Sequence, residues 1–401
     1  RTLADVPHCL VQGDIADPQR LVVDLAAQGI LDTERILHVR TFLDHDRPFV
    51  PVKDEAAAQR RQGQEYSGVY VARDGGEVKA THAVQSLVEH LRRWHAVVAG
   101  FGLVMLEVHC LRPQMVRRLQ NQTESAHFDA YHAFSGQQLV EAPVFLMAAA
   151  EAGLFPEVGV SRCIPKTADF TRISLHRLTS KPYIVRHPTW EDLPTLKQLD
   201  CASQPEALRT ASAELERRVQ DHPLGQMVLE VEGQIVAALY SQRIESIGAL
   251  RGCGHRELPS LHRPEGRCVQ LLGLYVMPQM QGRGYGDALI DLMLTYCTAQ
   301  ESVDVVVGVT RCMNFAQHKA ACDIGSYVHR RDEQGQWQDP MLHFHTSHGA
   351  LIREVLPQFR PEDIDNDGAG VLIEYRLRGE SLPGFEVQES NGGGPAMTSQ
   401  Q

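Results

Sequence analysis

Apolar positions recur along this chain at two periods, and the switches between them predict alternating strands and helices. Gln226 to Glu232 and Ile235 to Ile244 are β-rich runs separated by Glu232-Gly233-Gln234, which predicts a hairpin. Val269 to Val276 predicts a strand that stops at Met277-Pro278. Gly286 to Thr298 carries Leu289, Met293 and Tyr296 at helical spacing, and Ser302 to Thr310 is a Val-rich run suited to a strand buried on both faces. Val185 to Asp200 reads as strand, loop and helix, with Thr189 placed to cap the entry at Trp190-Glu191-Asp192-Leu193. Val371 to Leu377 predicts a last strand.

The first half shows a similar alternation. Cys9 to Ile15 predicts a short strand, Asp17 to Ile30 a helix, and Ile36 to Phe42 an apolar strand running into the polar turn Leu43 to Pro48. Thr81 is placed to cap a helix with Val84, Leu87, Val88, Leu91 and Val98 on one face, ended by Gly100. Phe101 to Cys110 predicts a further strand, so the class is α/β. Past Glu380 the run Asn391-Gly392-Gly393-Gly394-Pro395 has the composition of a flexible linker. The chain therefore divides into segments 1–180 and 181–380, with a linker at 381–401.

The sharpest chemical signal is Gln281-Gly282-Arg283-Gly284-Tyr285-Gly286, directly after the strand ending at Tyr275-Val276. Glycines let the backbone approach a ligand closely. The N–H groups freed where the next helix starts then point at an anion.

Composition narrows the class. The net charge of −11, with no basic stripe, argues against a nucleic-acid partner. No apolar run reaches membrane-spanning length, and the N-terminus lacks the basic and apolar regions of a secretory signal. Nine scattered Cys suit a reducing compartment, so the expected location is cytoplasmic. His45, Asp46, His109, His127, Asp129 and His132 invite a metal reading, but histidines near turns are more often hydrogen-bonded or exposed, and no ligand is assigned. His343 and His345 alternate and on a strand would share a face, yet no third ligand for zinc accompanies them. Asp363, Asp365, Asp367-Gly368 and Glu374 fit the spacing of a calcium loop. A strand follows them instead of a helix, so an acidic turn is the expectation.

The loop Gln281-x-x-Gly284-x-Gly286 after its V-x-P strand end resembles the pyrophosphate-binding loop of the GNAT acyltransferase superfamily, and the element order over about 183–380 is similar to that fold: a mixed, splayed central sheet with flanking helices. The resemblance implies that Tyr275, Val276 and Gln281 to Gly286 hold coenzyme A or a phosphopantetheine arm. Many members carry N-x-x-A-x-x-x-Y after the Val-rich strand, the Tyr giving a proton to the leaving thiolate. Here Asn314 is followed by Gln317 and Ala321 at the Ala and Tyr positions, so that acid is missing.

The insertion between Tyr327 and Ala369, with Asp339 to Gly349, resembles the GNAT-like decarboxylases of polyketide synthase loading modules, of the curacin and gephyronic-acid type. That resemblance implies Thr310 and His345 as the catalytic pair and Arg360 at the same site. It implies an acyl carrier protein and neighbouring synthase domains as partners, and no obligatory cofactor beyond the phosphopantetheine arm of the substrate. The implied reaction is decarboxylation of a malonyl, methylmalonyl or dimethylmalonyl thioester. Segment 1–180 resembles the second half of a class I methyltransferase of such modules without its glycine-rich nucleotide loop, as in an excised piece or a remnant. In full methyltransferases of this type, as a family, a mononuclear metal is present. Two other functions stay open: acyl transfer from coenzyme A to a carrier thiol, and a non-catalytic carrier-docking scaffold. Arg283, Arg311, Lys319, Arg330 and Arg331 are the expected basic patch for an acidic carrier.

Overall fold

The computed structural model describes residues 6–377 apart from 73, 123–128 and 167. The expected linker at 381–401 and His127 lie outside the described residues.

The second half is built on a seven-stranded sheet. Its strands are β1 (Ile184–Arg186), β2 (Gln226–Val231), β3 (Gln234–Ile244), β4 (Cys268–Val276), β5 (Val305–Thr310), β6 (Leu351–Leu356) and β7 (Gly370–Arg376), in spatial order β6-β7-β5-β4-β3-β2-β1. The β2–β3 hairpin closes through Glu232 at φ 51° and Gly233 at φ 77°, the left-handed pair a tight two-residue hairpin turn requires.

Only β4 and β5 run parallel in this sheet, and their pairing covers Cys268–Leu271 against Val305–Gly308. Beyond it, β4 follows β3 alone as far as Val276, and β5 follows β7 alone as far as Thr310. A register shift between Tyr240 and Ser241, opposite Leu272, bends β4 where it parts from β5. The result is a wedge in the middle of the sheet.

Helices α1 (Leu193–Ser203) and α2 (Ser212–Asp221) cover one face, packing Leu196, Leu199 and Leu215 on Val228, Ala238, Tyr240 and Tyr275. Thr189 and Asp192 form a capping box ahead of α1. Helices α3 (Tyr285–Ala299) and α4 (Pro340–Ser347) cover the other face, where Leu289, Met293 and Leu342 join Val306, Val371, Ile373 and Tyr375. Burying a side chain such as Leu289 contributes about 1.5–3 kcal/mol, which fixes α3 against the sheet.

In the first half, Pro18–Ala27 is a helix capped by Asp17, whose Oδ1 accepts from Arg20 N at 3.0 Å. Strands His38–Thr41, Leu103–Val108, Ile173–Ser180 and Leu154–Pro156 pair in that spatial order, the first pair parallel, with Arg162–Ile164 also on Ile173–Ser180. Two sequence expectations fail here. Cys9 to Ile15 forms no strand: Trp94 Nε1 donates to Ile15 O at 2.9 Å and Arg93 Nε to Ala16 O at 2.8 Å, so side chains anchor the end of this segment. The long helix spans Ala80–His95, with Lys79 at its cap. Thr81 thus sits inside the first turn, its Oγ1 3.3 Å from His82 Nδ1, and the helix stops before Gly100.

The halves share a core. Met147, Ala150 and Phe155 belong to the same buried cluster as α3, and Ser302 N donates to Asp169 O at 2.9 Å. No helix among the described residues is long and apolar enough to cross a membrane.

Candidate active site

The glycine loop leaves β4 through the single turn Pro278–Met280. Gly282 and Gly284 take φ of 74° and 76°, with Gly284 capping α3. A Cβ at either would meet nothing within 4 Å, so it is the left-handed backbone, not lack of space, that calls for glycine. Ala288 N donates to Gly284 O at 3.0 Å, and the N–H groups ahead of it have no helical partner. With open space above them, these residues fit a pyrophosphate. Arg283 is exposed at the loop, whereas the Tyr285 ring is buried against Tyr183, centroids 5.5 Å apart.

Met277 N donates to Val236 O at 2.9 Å. By strand alternation the main chains of Leu274 and Val276 therefore face the wedge. Val276 O accepts from Gln281 Nε2 at 3.3 Å. Tyr275 differs from its expected role: its main chain pairs toward β3, and its ring lies in the α1–α2 core, 5.8 Å from Tyr240.

Thr310 ends β5 on the α3 side of the sheet, the side of Val306. His345 Nε2 lies 3.2 Å from Thr310 Oγ1, and its Nδ1 lies 2.7 Å from Tyr375 Oη on β7. Asp339 sets this geometry. It is buried, caps α4 through Met341 N at 3.0 Å, and ties the insertion to the chain after β5 through Asn314 N at 2.9 Å and Tyr327 Oη at 3.2 Å. Burial, and secondarily the charge of His348, pull the His345 pKa down to about 3, so the ring is neutral at physiological pH. Burial pushes the Tyr375 phenol up, with the charge of Asp291 adding to it.

The segment around His343 and His345 is helical, not a strand. Residues two apart on a helix point about 200° apart, so His343 is exposed while His345 turns inward. Among the described residues no three His, Cys, Asp or Glu gather as a metal site. His45 Nδ1 is 2.6 Å from Glu107 Oε1, His109 Nε2 is 2.7 Å from Ser174 Oγ, and Asp129 pairs with Arg172. The Asp363–Asp367 run is a short turn before β7, and Glu374 pairs with Arg353 and Arg376.

Arg360 does not join the Thr310–His345 pair. Its main-chain N donates to Gly368 O at 2.8 Å, and its guanidinium has no ion pair among the described residues. Burial lowers its pKa, against the charges of Tyr275 and Asp363. Ala321 is exposed in a turn, between the single 3-10 turn Phe315–Gln317 and the short helix Ile324–Tyr327. Of the expected basic patch, Arg311 pairs with buried Asp363 at 2.9 Å, Lys319 with Asp367 at 3.4 Å, and Arg331 stacks on Trp337, 3.2 Å from the ring centroid. Tyr375, Asp339 and His348 were not singled out from the sequence. Strand alternation with Val371 and Ile373 put Tyr375 on this face, but nothing local announced what its hydroxyl meets.

The splayed sheet, the glycine loop capping α3 and the α1–α2 pair define a GNAT domain. The Acetyltransferase (GNAT) family matches residues 190–321, and the AprA MT2-like domain family matches residues 1–176. The loading GNATL domain of CurA from Lyngbya majuscula is 39% identical, covering 49% of this chain and 98% of that domain, with a TM-score of 0.48. The GphF GNAT-like decarboxylase in complex with isobutyryl-CoA is 42% identical, covering 48% of this chain and 99% of its own, with a TM-score of 0.46. No curated protein matches the chain. With such identity across essentially the whole of each relative, the chain belongs to the GNAT-like loading-module family, with a methyltransferase-like domain ahead of the GNAT domain.

Proposed function

We propose that this chain removes carbon dioxide from a malonyl-type group carried as a thioester on the phosphopantetheine arm of an acyl carrier protein, making a starter unit for polyketide synthesis. The observation that carries the reading is the 3.2 Å contact of Thr310 Oγ1 with His345 Nε2 at the end of β5, beside the wedge. The arm lies along the main chain of Leu274 and Val276 that β5 leaves unpaired, with its phosphate on the Gln281–Gly286 loop, and coenzyme A can occupy the same site.

The bond between the α-carbon and the carboxylate breaks, and its electron pair moves into the thioester as an enolate. Preorganised donors at the end of β5 stabilise the oxygen where that charge gathers. Carbon dioxide leaves with that cleavage, and a proton from His345 or from water then reaches the α-carbon. No nucleophile, redox partner or metal enters this balance. Arg360, partly buried and without an ion pair among the described residues, is the cation assigned to the substrate carboxylate. The isobutyryl group of the GphF complex is what a dimethylmalonyl group becomes on losing carbon dioxide, which supports methylated substrates here. The transferase reading lacks its acid, because Ala321 has no proton to give.

Intact-protein mass spectrometry tests the proposal. A carrier loaded with malonyl, methylmalonyl or dimethylmalonyl should lose the carboxylate mass on the same carrier. Unacylated carrier with acetyl-coenzyme A should gain no acyl group, and robust gain would overturn the reading in favour of transfer.

A further inference from the structure

We infer that Tyr375 is a positioning residue: it holds His345 in the tautomer with hydrogen on Nε2, and so turns the Thr310 hydroxyl toward the reacting thioester. The inference begins from hydrogen counting. Tyr375 is 2% exposed, and a buried phenol needs an acceptor for its one hydrogen. Among the described residues its hydroxyl has one hydrogen-bond partner, His345 Nδ1 at 2.7 Å. The O–H therefore donates and Nδ1 accepts. A neutral imidazole carries a single hydrogen, which must then be on Nε2.

That nitrogen faces Thr310 Oγ1 at 3.2 Å, so the ring donates and the Thr oxygen accepts. The Thr hydrogen is left for a third group. Its protein alternative, Arg311 O at 3.4 Å, is long for a bond between hydroxyl and carbonyl. An enolate oxygen in the wedge is the better acceptor. The opposite tautomer would leave Nε2 bare and draw the Thr hydrogen back onto the ring, removing a donor from the site. The high pKa of Tyr375 and the low pKa of His345 agree with a protonated phenol against a neutral ring. Tyr375 reaches its place because it follows Val371 and Ile373 at alternate positions on the α3 face of β7.

The kinetic part of this inference rests on the decarboxylase reading, but the tautomer does not. Long-range proton–nitrogen correlation spectra of the full chain labelled at histidine report which ring nitrogen is protonated, with His345 assigned by its loss in His345→Gln. The wild-type chain at neutral pH should show His345 protonated on Nε2. Tyr375→Phe should move it to Nδ1–H or a mixture. The same variant should lower kcat on loaded carrier by about 10- to 100-fold with KM nearly unchanged, the range for losing a group that orients a working imidazole. Protonation on Nδ1 in the wild type overturns the inference without any variant having to fold. An unchanged tautomer or an unchanged kcat in Tyr375→Phe overturns it too. If the wild type decarboxylates no malonyl-type carrier, the functional reading fails while the spectrum still decides the tautomer.

Discussion

The Nδ1 of His348 lies 2.7 Å from Asp291 Oδ1, and this contact pins the C-terminal end of α4 to the flank of α3. The other ring nitrogen faces Asp287 Oδ1 at 3.2 Å. His345 lies one turn earlier on α4, so the clamp also holds the ring that reaches Thr310. Burial alone would lower the His348 pKa, but its hydrogen bonds and the charges of the two carboxylates outweigh it, and the pKa is raised. A raised histidine stabilises the fold fully below its unfolded pKa, and that contribution fades as pH rises through the folded value. Asp291→Asn should therefore lower the melting temperature most below about pH 6.5, with the gap to wild type closing in alkaline buffer. The carboxylates are partly exposed, so the effect should be of order 1 kcal/mol or less. Melting curves across pH check this, and a gap that widens with pH would contradict it.

Thr310→Val and His345→Ala should each slow decarboxylation by about two to three orders of magnitude, the range for losing one transition-state donor. Binding of a pantetheine ligand should survive, because the Gln281–Gly286 loop is untouched. The double variant should be little worse than either single one if both groups serve one enolate. Single-turnover rates on loaded carrier decide the point, and full additivity would separate the two roles.

Because burial holds the His345 pKa near 3, the ring stays neutral over the working range. The single-turnover rate should be flat between about pH 5 and pH 8. A step near the ordinary histidine value that vanishes in His345→Gln would show that the ring titrates during turnover.

Gly284 takes a left-handed backbone in open space, so Gly284→Ala introduces strain without a clash. The cost should be about 1–2 kcal/mol, and relaxing it would turn the loop N–H groups away from the phosphates. KM for coenzyme A thioesters should rise while kcat at saturation changes little. A fall in kcat with constant KM would place the loop's role elsewhere.

Arg283 and Arg311 differ as docking candidates. Arg283 is exposed on the glycine loop, whereas Arg311 is committed to buried Asp363 at 2.9 Å. Arg283→Glu should slow reaction with a loaded acidic carrier, most at low salt, and spare a short pantetheine substrate. Arg311→Glu should lower the melting temperature and affect both substrates alike. Equal losses on both substrates for Arg283→Glu would count against docking at this loop.

Much of the fold was legible along the chain because its signals are local. The Glu232-Gly233 turn, the Val-rich β5 and the apolar spacing of α3 each act within a few residues, and the structure places them at Glu232–Gly233, Val305–Thr310 and Tyr285–Ala299. The glycine loop was legible for the same reason, since left-handed backbone at Gly282 and Gly284 is a property of those residues themselves. Resemblance singled out Thr310 and His345, but the run holding His343 and His345 alternated like a strand, whereas in the structure it is a helix capped by Asp339 with Pro340 in its first turn.

What the sequence by itself determined was therefore the β2–β3 hairpin, strands β4, β5 and β7, helix α3 and the left-handed glycine loop, which short-range periodicity and backbone sterics dictate. Tertiary structure alone decided that His345 reaches Thr310 across 35 residues and that Tyr375 meets the other side of its ring. Those relations depend on where β4 and β5 part and on how Asp339 and His348 seat α4. They arise from packing between distant segments, and no local pattern of residues encodes them.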